Sequence, residues 1–488
     1  MVFSSSIFLF AFLPILLIFY TISWKINLKL SNVVLLVFSL FFIFWGSGED
    51  TLILLSMIAV NYISGLLLTK GVKDMLLPKG EKRTPYQKSV LVFTLVLSLG
   101  LLVYYKYASF ITGNAVSLLN RLGMDIHTPA FVKNILLPLG ISFYTFQALS
   151  YTLDVYFGNV EGTKNLLNFS LYVSFFPQLI AGPIVRYSHI YKQINSRKID
   201  LDGVYQGMLR FMAGFIKKVL LANTVAKAAD GVFGLHASEL HASIAWVGII
   251  AYTLQIFLDF SAYSDMAIGL AKIFGFDLRE NFNLPYIAKS IQDFWRRWHI
   301  SLSSWFRDYV YIPLGGNRKG NVRTYINLVI IFFICGLWHG AAWSFVIWGL
   351  WHGLFLVIER AFLSKLLDKL PGVFRRIYTL LVVIVGWVLF RGNNLSHALK
   401  YLKAMFIPSD FSGNLFRIPS EYLQNDVIIA FVFGIIASFG GIIWFKKKCD
   451  KKGKFLKHLY AVLVFVLFII SISSIYSGTY NPFIYFRF

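Results

Sequence analysis

Long apolar stretches separated by short basic clusters recur along this chain from end to end. Runs of the length that crosses a bilayer as a helix, about 17–25 residues, fall near residues 5–24, 31–47, 51–69, 88–107, 134–157, 204–224 and 243–268. Further runs lie near 324–339, 342–359, 377–391, 427–445 and 457–476. They are continuous rather than alternating, which argues for helices and against a transmembrane β-barrel. Between them, Phe175-Phe176-Pro177-Gln178-Leu179-Ile180-Ala181-Gly182-Pro183 is short and broken by Pro and Gly. It reads as a re-entrant or kinked piece, tolerated at depth only where protein or water satisfies its backbone. The predicted fold class is all-α, a polytopic integral membrane protein of about eleven to thirteen transmembrane and re-entrant segments.

Two spans, 324–339 and 342–359, are parted only by Gly340-Ala341, so at least one is expected to be short or tilted. The segment 392–426 is the longest late loop and has room for a surface helix, and the loop near 108–132 is poor in charge. No internal repeat is visible and no stretch is large enough to fold as a separate soluble domain, so residues 1–488 read as one transmembrane domain.

Composition agrees with this class. Of 488 residues 57% are hydrophobic and 18% aromatic, with a mean hydropathy of +0.66. Only 14% are charged, against about 25% in soluble proteins. The net charge of +23 would suit nucleic acid, but the cations cluster in loops between spans, as positive-inside topology requires. They are also available to anionic headgroups or a phosphate-bearing donor. Lys25 and Lys29 follow the first span, and seven lysines lie within Lys446–Lys457, so both termini are expected outside a cytoplasmic membrane. The first span lacks a basic n-region and cleavage site and is not read as a signal peptide. Cys335 and Cys449 do not suggest a disulfide or zinc site, and no metal is expected.

Candidate chemistry centres on two tryptophan-flanked histidines 40 residues apart, His299 in Trp298-His299 and His339 in Trp338-His339. At about 100° per residue, Trp295, Trp298, Leu302, Trp305, Phe306 and Tyr309 share one face of a continuous helix over 295–309, with Arg296, Arg297 and Arg307 opposite. That pattern predicts an interfacial helix with His299 at the border of its aromatic face. His299 is then either an interfacial anchor or a functional group, and periodicity does not separate the two. His339 ends an apolar run, where an imidazole needs a partner or a water-filled cavity. A pKa near 6.5 suits a general base; a structural bond to a backbone carbonyl is the alternative. His352, 13 residues further on, would face away from His339 on a continuing helix.

Asp259, Ser261, Ser264 and Asp265 place two acids in one span, with Ser261 and Asp265 on one face. They line a polar pocket or fix helix packing through an internal network. Gly315-Gly316-Asn317-Arg318 is a turn with amides and cations at hand, either a phosphate contact or an ordinary cytoplasmic turn.

Asp293-Phe294-Trp295-Arg296-Arg297-Trp298-His299, then Arg307-Asp308-Tyr309-Val310-Tyr311-Ile312-Pro313-Leu314-Gly315-Gly316-Asn317-Arg318, then Gly336-Leu337-Trp338-His339-Gly340 together resemble the membrane-bound O-acyltransferase (MBOAT) family, in its bacterial alginate O-acetylation branch. Residues 177–183 and 259–265 resemble that branch too. The resemblance implies a ring of tilted helices, with the histidine-bearing core at about 130–360. It implies a cytoplasmic acyl thioester donor, acetyl-CoA, used as substrate with no resident cofactor. His339 matches the family's main catalytic histidine and His299 the supporting one. Arg296, Arg297, Asn317 and Arg318 are then the candidate donor contacts, and Trp338, Asp259 and Asp265 the pocket. The tail 481–488 resembles a terminal Tyr-containing hexapeptide, which makes Tyr485 a candidate acyl carrier; an interfacial anchor is the alternative. The implied partners are an extracytoplasmic acyltransferase of the SGNH (serine-hydrolase-like) type and polysaccharide synthesis machinery, with no nucleic acid. D-alanyl transfer to teichoic acid is the rival within the family, and a proton-coupled transporter or flippase the rival outside it.

Overall fold

The computed structural model describes residues 1–236, 239–407, 420–451, 453–478, 480–482 and 484, with Glu421 by its backbone alone. Every regular element among them is helical. Among the described residues, eight helices are long and apolar enough to cross a membrane, or nine if Asn425–Ser438 and Gly441–Lys451, bent by 67°, count as one broken span. The larger number expected from sequence includes pieces that are shorter or more charged than these eight. The run at 134–157 forms only the 17-residue helix Ile141–Phe157. The broken piece near 177 contains the four-residue helix Phe176–Leu179. The run at 204–224 is helical but carries Arg210, Lys217 and Lys218. The weakly charged loop near 108–132 is half helix, because Pro85–Arg121 continues for 37 residues.

The chain divides into two units, one of Met1–Gly207 with Leu270–Arg279 and one of Met208–Gly269 with Glu280–Phe488. The first holds α1 (Leu13–Ile26), α2 (Leu28–Ser47), α3 (Thr51–Leu68), α4 (Pro85–Arg121), α5 (Ile141–Phe157), α6 (Leu166–Ser174), α7 (Phe176–Leu179) and α8 (Tyr187–Asn195). Thr84 starts α4 through a reciprocal capping box with Gln87, and Pro85 sits at the first turn, where its missing N–H costs nothing. Small polar side chains join these apolar helices where no water is available. Asn61 on α3 donates to Ser98 Oγ on α4 at 3.2 Å and accepts from Thr152 Oγ1 on α5 at 2.7 Å. The Pro/Gly piece is fully buried; its backbone Phe176 N donates to Ser39 Oγ, and the Gln178 side chain donates from Nε2 to the Tyr172 carbonyl just before it.

The second unit begins within α9 (Leu201–Ile216), which passes through a π-turn at Lys217–Ala222 into α10 (Asn223–Phe233). Then come α11 (Ala242–Ile273), α12 (Ile291–Arg297), α13 (Ile300–Phe306), α14 (Gly320–His339), α15 (Trp343–Ile358) and α16 (Gly372–Arg391). The surface helix expected in the late loop is α17 (Leu395–Phe406), followed by α18 (Asn425–Ser438), α19 (Gly441–Lys451) and α20 (Lys454–Ser477). Glycine makes the tight α14–α15 hairpin possible. A Cβ at Gly336 would collide with the Phe345 carbonyl, one at Gly349 with the Phe332 carbonyl, and one at Gly340 with the Phe345 ring. Close backbone approach of this kind is how membrane helices pair without a hydrophobic driving force.

Candidate active site

His339 is the last residue of α14, where Gly340 turns the chain into an extended link toward α15. The imidazole is 4% exposed and meets ring edges on three sides. Trp338 and Trp348 both lie 4.9 Å from it, and Phe390 of α16 lies at 5.2 Å. The hairpin glycines set this geometry, since they let α15 bring Trp348 close to the end of α14.

The continuous helix expected over 295–309 is not formed. The chain breaks between α12 and α13, and His299 sits in the break with φ +41° and ψ 54°. Left-handed backbone in a non-glycine residue costs about 1–2 kcal/mol and persists only where surroundings over-determine it. Here they do. The segment 281–283 is sewn to the break, with Asn283 N donating to the Arg297 carbonyl and Ile300 N to the Asn281 carbonyl, each at 2.9 Å. Glu359 fixes the start of α12, accepting from Ile291 N at 2.6 Å and Gln292 N at 3.1 Å. The aromatic face itself is as predicted: Trp295, Trp298, Leu302, Trp305, Phe306 and Tyr309 are all buried. They pack within the unit, and His299 is wholly buried among them rather than at a border.

Asn281 determines the chemistry of His299. Its amide nitrogen donates to Ser264 Oγ at 3.2 Å, which turns Oδ1 toward the break. Oδ1 accepts from Ser301 Oγ at 2.8 Å and Ser301 N at 3.2 Å, and lies 3.2 Å from His299 Nδ1. An acceptor at that position assigns the proton to Nδ1 and leaves the basic lone pair on Nε2. Burial also holds the imidazole neutral, with its pKa lowered to about 3. Phe260 packs on the ring at 4.7 Å and Trp338 at 5.9 Å. Trp338 therefore touches both histidines, and the structure brings His299, Trp338 and His339 together.

His352 belongs to the same cluster. The helix does not continue past His339, so the angular count that turned His352 away does not apply. One turn after Trp348 on α15, it is fully buried against Trp348 at 5.3 Å, Trp295 at 5.2 Å and Phe294 at 6.2 Å. Neither of its ring nitrogens has a hydrogen-bond partner among the described residues.

The other candidates lie elsewhere. Arg297 is engaged by Asp293 at 2.8 Å, while Arg296, Asn317 and Arg318 are exposed. The Gly315-Gly316 turn needs its glycines, with φ of +105° and +56°. Asp265 is held by Lys217 at 2.5 Å and Arg210 at 2.8 Å, and Lys217 also reaches Ser261, so the two residues do share a face. Asp259 pairs with Lys218 at 2.8 Å. Tyr485 lies outside the described residues. Asn281 and Glu359 went unnoticed in the sequence, since only their distant partners give them a role.

Two buried imidazoles bridged by an indole form a site suited to general-base chemistry on a hydroxyl. The model of the membrane-bound O-acyltransferase family matches residues 159–399, which include both histidines. A Pseudomonas putida protein named "Probable alginate O-acetylase AlgI" is 40% identical over the whole of both chains. Its Pseudomonas aeruginosa counterpart is 43% identical over 83% of this chain and 75% of its own. The peptidoglycan O-acetyltransferase of Helicobacter pylori is 34% identical over 88% of this chain and 85% of its own. The chain belongs to the membrane-bound O-acyltransferase family. This O-acyltransferase is a multi-pass membrane protein similar to the alginate O-acetylase branch, and the transporter reading falls away.

Proposed function

We propose that this O-acyltransferase moves an acetyl group from a cytoplasmic thioester, acetyl-CoA, toward hydroxyls of a polysaccharide on the outer side of a bacterial cytoplasmic membrane. The naming of full-length relatives for O-acetylation of alginate and peptidoglycan supports this substrate class. One observation carries the mechanism: His339 and His299 are both buried in one aromatic cluster and both touch Trp338. An imidazole nitrogen of His339 takes the acceptor's hydroxyl proton as its oxygen attacks the thioester carbonyl. The C–O bond forms, the C–S bond breaks, and the thiolate leaves with the proton returned by the imidazolium. His299, with its tautomer set by Asn281, orients the reacting groups.

Tyr485 is the first acceptor. A phenol of pKa about 10 leaves more readily than a sugar hydroxyl, so its ester stays activated. A second transfer, on an extracytoplasmic acyltransferase of the serine-hydrolase type, passes the acetyl group to the polysaccharide and restores the phenol. Both termini lie outside in this scheme. The exposed Arg296 and Arg318 are available to the donor's phosphates.

The test is incubation of purified protein in proteoliposomes with acetyl-labelled CoA thioester, followed by mass spectrometry of the 480–488 peptide. Label on Tyr485 that disappears in His339→Gln is expected. Label that persists in His339→Gln would overturn the assignment.

A further inference from the structure

The two acids of α11 have different completions. Asp265 is fully engaged within the helices, by Lys217 from the π-turn and by the Arg210 fork, which also grips Glu280. Asp259 and Lys218 form a deeper pair, 2% and 4% exposed, and it is completed by the segment after α20. Lys218 Nζ donates to the Pro482 carbonyl, and Ile484 N donates to Asp259 Oδ2 at 2.9 Å. Beside them Asn223 Nδ2 donates to Asn481 Oδ1 at 3.1 Å. Tyr480 OH donates to Asp230 Oδ2 at 2.6 Å, and Arg391 holds the other oxygen of Asp230 at 2.6 Å.

A buried ion pair is costly unless further hydrogen bonds use its remaining protons and lone pairs. Here a peptide backbone supplies them, one carbonyl to the cation and one N–H to the anion. We propose that Lys218 and Asp259 are a backbone clamp, a peptide-binding site occupied in cis at Pro482 and Ile484, which serves to position the tail for acyl transfer. The clamp rests on the reading of Tyr485 as acyl carrier for its purpose, though not for its geometry. It recognises main-chain groups, while the Tyr480 and Asn481 side chains add bonds to Asp230 and Asn223. Ile484, 3% exposed, is the apolar anchor at its end. The two consecutive lysines open the π-turn Lys217–Ala222 and serve two acids on one helix.

The test uses the full chain with Cys335 and Cys449 replaced by Ala and Pro482→Cys introduced, a change that keeps the carbonyl. Maleimide labelling of position 482 reports docking, and acetyl transfer from labelled acetyl-CoA reports positioning. Lys218→Met with Asp259→Leu replaces the pair by apolar groups of similar size, which folded proteins generally accept. The charge exchange Lys218→Asp with Asp259→Lys keeps an ion pair but presents the wrong sign to each backbone group. In both, labelling should quicken about tenfold or more, and transfer should fall about 100-fold. Unchanged labelling in both would overturn the clamp, and faster labelling with full transfer would overturn its positioning role. Tyr485→Phe keeps the two ideas apart. Loss of transfer with position 482 still protected is expected, whereas full transfer with protection retained would remove the carrier and leave the docking site standing.

Discussion

The two histidines of the site are held by opposite means. His339 is placed by shape: a glycine-packed hairpin sets its helix end against Trp348, and rings close on three sides. His299 is placed by hydrogen bonds, in a left-handed break stitched to residues 281–283 and fixed at Nδ1 by Asn281. Packing fixes where a ring is. A hydrogen bond to one nitrogen also fixes which nitrogen stays basic. The first arrangement suits a base that must gain and lose a proton within one turnover. The second suits a group that must keep one protonation state.

The largest effects should come from the shape-held side. His339→Ala is expected to lower acetyl transfer about 10³-fold or more while the protein still folds, measured as turnover of labelled acetyl-CoA alongside thermal unfolding in detergent. Gly349→Val should lower activity as severely for a different reason. Its side chain has nowhere to go but into the Phe332 carbonyl, a clash costing about 3 kcal/mol or more, so its unfolding temperature should drop where that of His339→Ala does not. A Gly349→Val protein of native stability would mean that hairpin closeness is not what holds His339.

On the hydrogen-bonded side the loss should be smaller and of another kind. Asn281→Ala removes the acceptor that sets the His299 tautomer, and kcat should fall about 10- to 100-fold with KM little changed. Asn281→Asp is the sharper test. A carboxylate beside Nδ1 favours the imidazolium, so it raises the His299 pKa from its buried value of about 3 toward the neutral range. The rate should then fall on acidification at a higher pH than in the parent. Identical pH–rate profiles for the two proteins would detach Asn281 from the chemistry of His299.

Glu359 supports the same segment from further away. Its carboxylate receives Ile291 N, Gln292 N and the Tyr378 hydroxyl at 3.1 Å. Glu359→Ala leaves the buried Ile291 N and two part-buried donors without this acceptor, and an unsatisfied buried donor costs about 1–3 kcal/mol. The variant should melt several degrees lower, with a rate loss of about tenfold or less. A rate loss matching that of His339→Ala would show that the His299 segment cannot absorb any slack.

What could be read in advance follows from the range of the forces involved. The apolar runs, the buried aromatic face and the histidine ending a span are local features, and periodicity exposes them. The break at His299 is not local: its bonds come from residues 281–283, and no helical template over 295–309 contains them. His352 was misplaced because the count assumed a straight helix, although Gly340-Ala341 already signalled a turn. Asp259 and Asp265 were recognisable as unusual acids. The lysines that complete them precede the acids by more than forty residues in the chain, and only the fold brings them together.

The smallest effect separates the two modes of holding without touching the rate. In the unfolded chain His299 titrates near its usual value of about 6.5, whereas folded it stays neutral down to about 3. A base whose pKa is depressed by folding binds more protons when unfolded, so its contribution to stability is complete above about pH 6.5 and is lost as pH falls toward the folded value. The parent should therefore lose unfolding temperature between pH 6.5 and 4.5 more steeply than His299→Gln, whose side chain does not titrate. The His299→Gln baseline will be lower throughout, because left-handed backbone suits His better than Gln. The slope, not the height, is the measurement. Parallel curves would mean that His299 is open to protons in the folded protein, and the contrast between a ring held in one protonation state and a ring free to change it would lose its physical basis.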